Sequence, residues 1–152
     1  MSDELKRATE LWVCGQMKEL VGGAWYPSKG GTDTGEVTSA EPPFGFVMVT
    51  GAENLMVPGQ GVWRLAVKVC YLSHLGDGTV QAHSAMVHEV EKAVGLLMSN
   101  AGRWNPMGAL GVVDAARHLI VHGCQLVGSD EFSDAEEHTR GDVFTLTMGV
   151  SH

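Results

Sequence analysis

Positive charge is scarce in this chain. Lysine and arginine together number ten against eighteen aspartates and glutamates, which gives a formal net charge of −8. A nucleic-acid-binding protein draws most of its affinity from a basic stripe that neutralises phosphates, and no such stripe can be traced here. The imbalance is also lopsided: residues 1–75 hold eight acids and six bases, while residues 76–152 hold ten acids and four. Cysteine is sparse as well, since Cys14, Cys70 and Cys124 are odd in number, far apart and without a CxxC pair. That argues against a disulfide framework or a zinc ribbon and for a reducing compartment. No apolar run reaches the length of a membrane span, and the polar start Ser2-Asp3-Glu4-Leu5-Lys6 does not read as a signal peptide. The expectation is a soluble protein made in a cytoplasm.

Enzyme signatures are missing in the same way. There is no GxSxG elbow, no GxGxxG turn and no P-loop among the scattered glycines. Cys14 falls in a helical pattern and Cys70 in a strand pattern, where a cysteine packs as a small hydrophobe. What the chain does have is 44% hydrophobic residues, 18% charged residues and twenty glycines, the composition of a globular protein with many turns. Its 152 residues fit one domain covering the whole chain.

Periodicity supplies the elements. From Asp3 to Val21 an acidic first turn is followed by Leu5, Ala8, Leu11, Trp12 and Leu20 at helical spacing, and Gly22-Gly23 stops the helix. The stretch from Lys29 to Gly35 is expected to be mobile. Pro42-Pro43 marks an edge or a break before a strand from Phe44 to Thr50. A turn region from Gly51 to Gly61 leads to the clearest strand, Val62 to Ser73. There Trp63, Leu65, Val67, Val69 and Tyr71 alternate with Arg64 and Lys68. After Gly76-Asp77-Gly78 the spacing predicts a helix over 79–98 with Val80, Val87, Val90, Val94 and Leu97 along one stripe. A second, weaker helix is expected from Pro106 to Ala116. A strand follows from His118 to Val127, then an acidic segment from Gly128 to Gly141, then a last strand from Val143 to Val150. The order α-β-β-α-(α)-β-β implies the α+β class, a mostly antiparallel sheet with helices packed on one face.

Two patterns invite chemical readings. His118, His122 and Cys124 stand at i, i+4 and i+6, which share a face on a regular strand, so a metal-dependent enzyme or binding module is conceivable. Zinc sites usually bring tight ligand pairs and a supporting carboxylate, and none is apparent beside these residues. His83 and His88 are five apart on a helix and do not form the i, i+4 pair of a zincin. His88 with Glu89, Glu91 and Lys92 reads as a solvated face. The acidic segment places Asp130, Glu131, Asp134, Glu136 and Glu137 within eight residues. Unpartnered carboxylates resist burial, so this is read as a solvated loop or short helix, either plain surface or a contact for a basic partner.

The run of elements resembles the tail-terminator, or tail-completion, proteins of long-tailed bacteriophages. The matching pieces are the helix 3–21, the Pro42-Pro43-Phe44 entry and the strand Trp63-Arg64-Leu65-Ala66-Val67-Lys68-Val69. They continue with the Asp77-Gly78-Thr79 turn into a helix carrying His83 and Val87, the strand Leu119-Ile120-Val121-His122-Gly123, the acidic segment and the closing Arg140-Gly141-Asp142-Val143-Phe144-Thr145-Leu146-Thr147. Nearly the whole chain is covered. The glycine-rich stretch from Gly22 to Gly35 and the region near Pro106 depart from the pattern, leaving open another head-completion, neck or minor tail subunit.

The resemblance implies a structural virion subunit of the tail or neck, without enzymatic activity, cofactor or metal. It implies a homo-oligomeric ring, a hexamer, that caps the tail tube, ends its growth and offers a docking surface to the head-tail connector or stopper protein. Viral DNA would pass through the lumen in transit only, and no membrane is involved. Within that picture Asp130, Glu131, Asp134, Glu136 and Glu137 are candidates for the lumen or for inter-subunit contact. Glu53, Asn54, Leu55 and Met56 are candidates for an inter-ring loop. An acidic lumen would keep the DNA backbone from sticking, and a ring built head to tail needs two different patches on each subunit.

Overall fold

The computed structural model describes residues 3–28, 42–54, 62–76, 79–101, 112–114, 119–136 and 138–151. Two helices and six strands appear in the order α1 (Asp3–Leu20), β1 (Trp25–Pro27), β2 (Phe44–Asn54), β3 (Trp63–His74), α2 (Val80–Ala101), β4 (Val112–Asp114), β5 (Leu119–Asp134) and β6 (Thr139–Ser151). All six strands join one sheet in the order β1-β2-β3-β6-β5-β4. Every pairing is antiparallel except β1 with β2. The expected α+β class is what the chain adopts.

The core follows from alternation. Leu65, Val67, Val69 and Tyr71 of β3 lie opposite Met148, Leu146, Phe144 and Asp142 of β6, and the apolar members of both rows are buried. Val47 and Val49 extend this face on β2, and Val121 and Cys124 extend it on β5. Both helices cover that same face. α1 contributes Leu5, Trp12, Val13, Cys14 and Met17, and α2 contributes Val90, Ala93, Val94 and Leu97. Val80, expected in the α2 stripe, is 45% exposed, because it occupies the first position of the helix, before the stripe reaches the sheet.

Several boundaries differ from expectation. The acidic segment from 128 to 141 is neither loop nor helix over most of its length: β5 continues through Asp134 and β6 begins at Thr139, so it forms the far end of a long hairpin. Its acids do not prevent pairing because a strand turns half of its side chains to each face and ladder bonds need no side chain at all. Residues Gly51 to Asn54, expected in a turn, extend β2 past a bulge between Val49 and Gly51. Within the expected helix from Pro106 to Ala116, residues 112–114 form β4, paired to Leu119, Ile120 and Val121. Val112 and Val113 are β-branched and Gly108 and Gly111 weaken a helix, so pairing to β5 prevails. The rest of that stretch, the segment 29–35 expected to be mobile, and residues 55–61 lie outside the described residues.

Two cross-strand pairs set an aromatic ring over a glycine. Trp25 pairs with Gly45, and a Cβ added at Gly45 would fall inside the indole. Phe132 pairs with Gly141 in the same manner. The ring replaces the side chain the glycine lacks, which fixes register at an edge.

Candidate functional site

The end of the β5–β6 hairpin carries the candidate acidic cluster. Asp130, Glu131, Asp134 and Glu136 are all exposed on it, and Glu137 lies outside the described residues. Asp130 pairs with Val143 and Glu131 with Asp142, so successive acids face opposite sides of the arm. At the tip, Asp134 Oδ1 accepts the Glu136 N–H at 3.0 Å, an Asx turn that bends the chain toward β6. His138 completes the turn with φ of 53°, and its carbonyl accepts the Leu75 N–H at 2.7 Å. The acids therefore ride on a framework set by backbone ladders and turn bonds.

The other candidate patch lies at the far end of the sheet. Glu53 and Asn54 close β2, and Glu53 sits 3.6 Å from Arg64 in an exposed ion pair. Leu55 and Met56 are outside the described residues. Asn54 pairs with Trp63 and Trp63 with Val150, whereas His74 at the other end of β3 pairs with Thr139 beside the acidic tip. The 12 residues of β3 thus separate the two patches by on the order of 35 Å at strand rise.

Among the described residues, the short edge strands β1 and β4 cover β2 and β5 over only part of their length. β4 covers only the first residues of β5, and from Gly123 to Ser133 the outer edge of β5 faces no other strand among the described residues. On the opposite flank β1 pairs with Gly45 to Val47 of β2. There the Val49 N–H donates to Glu10 Oε2 at 2.9 Å, and Ser28 Oγ donates to the same oxygen at 3.1 Å. Glu10, 0% exposed on α1, thereby closes the β2 edge at Val49, beyond which no strand among the described residues pairs on that side.

Of the histidine and cysteine triplet, only His122 and Cys124 can be placed, and they separate. His118 is outside the described residues, and a bulge between Val121 and Gly123 takes His122 out of regular alternation. Its Nε2 lies 2.7 Å from Ser151 Oγ, while Cys124 belongs to the core beneath the helices. The i, i+6 argument requires an unbroken strand, and the bulge breaks it. No group of three His, Cys, Asp or Glu residues that could hold a metal ion occurs among the described residues. Burial pushes the thiols of Cys14, Cys70 and Cys124 up to about 12, so at neutral pH they remain protonated packing groups.

Sequence reading missed a buried chain of polar side chains. Ser73 Oγ lies 2.6 Å from His83 Nδ1, and His83 Nε2 lies 2.6 Å from Asp142 Oδ2. Ser73, His83 and Asp142 come from β3, α2 and β6, so the imidazole ties the helix to two adjacent strands. The residue types are those of a hydrolase triad, but Ser73 is only 6% exposed and meets the ring at Nδ1, with the carboxylate at Nε2. The arrangement works as a clamp. No local signal marks it, since His83 and Asp142 are 59 residues apart.

Comparison with known proteins adds a likeness of layout. No family model matches the chain, and neither does any curated protein. Among solved structures, a chain of the "Virion of native gene transfer agent (GTA) particle" is 14% identical, with a TM-score of 0.47, covering 98% of this chain and 94% of its own. A likeness of that degree carries no functional argument, and the reading below rests on the molecule's own surfaces.

Proposed function

We propose that this chain is a ring-forming structural subunit of a phage-like particle, a tail-terminator-like collar that performs no bond-making step. The observation that carries the reading is the placement of its contact surfaces. Among the described residues, strand edges without a partner strand lie on opposite flanks of one sheet, and two distinct polar hairpin ends lie at opposite ends of the strands. Different patches on opposite flanks are what head-to-tail contact requires, and head-to-tail contact closes into a ring when the rotation permits. Patches at opposite ends of the strand axis let such a ring meet one partner above and another below: the tail tube at one face and the head connector at the other.

The acidic arm fits a conduit. An arm that enters a lumen with Asp130, Glu131, Asp134 and Glu136 on its two faces repels the phosphate backbone and keeps DNA in transit from adhering. The stoichiometry we propose is six copies, with the virion neck as the site of residence. Negative-stain imaging and light scattering of the purified protein, alone and mixed with tail tubes, test this. An annulus or a capped tube end is expected. A monomer that leaves tube ends uncapped overturns the reading.

A further inference from the structure

Beside the Ser73–His83 pair lies an apolar cavity of about 340 Å³, between the end of α1, the β1–β2 pair, β3 and α2. Its walls include the rings of Trp25, Phe44 and Tyr71 and the thioether of Met86, with Ser73 and His83 as polar points. Among the described residues lining it there is no lysine, arginine or carboxylate. Its volume falls in the lower part of the range for small-molecule sites, roughly 300–1,000 Å³.

Two features separate this cavity from a packing defect. The first is that its walls are locked. Trp25 Nε1–H donates to the Gly22 carbonyl at 3.0 Å while its ring lies on Gly45, and Tyr71 packs between Trp25 and His83 at centroid distances of 6.4 and 5.7 Å. His83 is itself held at both ring nitrogens. The surroundings therefore cannot collapse to fill the space, and an unfilled apolar cavity forfeits the dispersion contacts of its lining. The second feature is the Tyr71 hydroxyl. The residue is 6% exposed and lines the cavity. A phenolic group in an otherwise apolar lining offers a ligand one polar point to bond, beside Ser73 and His83.

We infer that this cavity is a binding site for a small, neutral aromatic molecule with one polar substituent, of the phenol or indole class, its ring against Trp25, Phe44 and Met86 and its polar atom on the Tyr71 hydroxyl. Aromatic and thioether walls favour a planar ring through edge and offset contacts. With no counter-charge among the described residues lining it to offset the desolvation of an ion, the cavity favours a neutral ligand.

The test titrates phenol, indole and toluene into the full chain, followed by ligand-observed NMR and by the melting temperature. Saturable binding of phenol and indole with a rise in melting temperature is expected. Ala82→Phe, at an exposed helix position on the rim of the cavity, should abolish binding while the circular dichroism spectrum stays unchanged. Tyr71→Phe keeps the shape and removes the hydroxyl, so it should weaken phenol by up to about tenfold and leave toluene unaffected. Absence of saturable binding, or equal binding in Ala82→Phe, overturns the site. Equal phenol affinity in Tyr71→Phe overturns the assignment of its polar anchor. Neither outcome bears on ring formation, which is read separately by imaging.

Discussion

At the scale of single residues, the carboxylate of Glu10 has the largest structural consequence for its size. It satisfies the Val49 N–H where β1 stops, in a place closed to water. Glu10→Ala leaves that donor buried without its acceptor and is expected to cost about 1–3 kcal/mol in urea unfolding. Glu10→Gln retains an acceptor oxygen and should cost less. The two aromatic-covered glycines predict a ranking. Gly45→Ala collides with a Trp25 ring that is buried and hydrogen-bonded, an overpacking cost of about 1–3 kcal/mol. Gly141→Ala meets Phe132, which is 40% exposed and free to swing outward, so its loss of melting temperature should be the smaller. His122 predicts a pH dependence. Burial lowers its pKa from the ordinary 6.5, so below that value the unfolded chain binds the proton more readily than the folded one. Stability should therefore fall as pH drops from about 6.5 through the lowered value. His122→Gln should flatten that part of the profile, and an identical slope in the variant would remove His122 as its source.

At the scale of elements, long periodic stretches were legible and long-range pairings were not. The helix 3–21 and the alternating Val62–Ser73 strand stand out because each period repeats several times, and the structure places both within a residue or so of expectation. The acidic arm was hidden because strand pairing is decided by a partner strand, and local charge density says nothing of that partner. The same limit applies to the spacing of His118, His122 and Cys124, which was only a conceivable site, since the bulge between Val121 and Gly123 has no sequence signature of its own. The Ser73–His83–Asp142 clamp and the role of Glu10 depend on residues brought together only by the finished fold. The arm makes its own prediction. Phe132→Ala removes the ring over Gly141, a cross-strand pair of roughly 0.2–1 kcal/mol. Amide exchange should rise from Ser129 to Val143 while α1 stays protected. Uniform acceleration across the molecule would show that the arm is not a separate unit of stability.

At the scale of the whole molecule, charge and shape work together. If the arms of neighbouring subunits converge in a collar, their carboxylates repel one another, and salt should relieve that repulsion. Assembly followed by light scattering is expected to strengthen between 20 and 300 mM salt. Lysine replacements at Asp130 and Glu136 should reduce this salt dependence and make the collar retain DNA. A salt response unchanged by those replacements would move the arm away from the lumen. The polar end at Glu53 and Asn54 carries its own ion pair with Arg64 and should contribute little to that response.

The bare flank of β5 has one more consequence. An edge of that length with no partner strand among the described residues is a template for indiscriminate polymerisation, the hazard that turns soluble sheets into fibres. Asp130 and Glu131 stand along it as gatekeepers, for a second such edge approaching the same way would bring like charges together. Only a neighbour arriving with a different flank would escape the penalty, so in the proposed ring the same carboxylates that keep a passing nucleic acid at bay would also hold back protomers that meet in the wrong orientation.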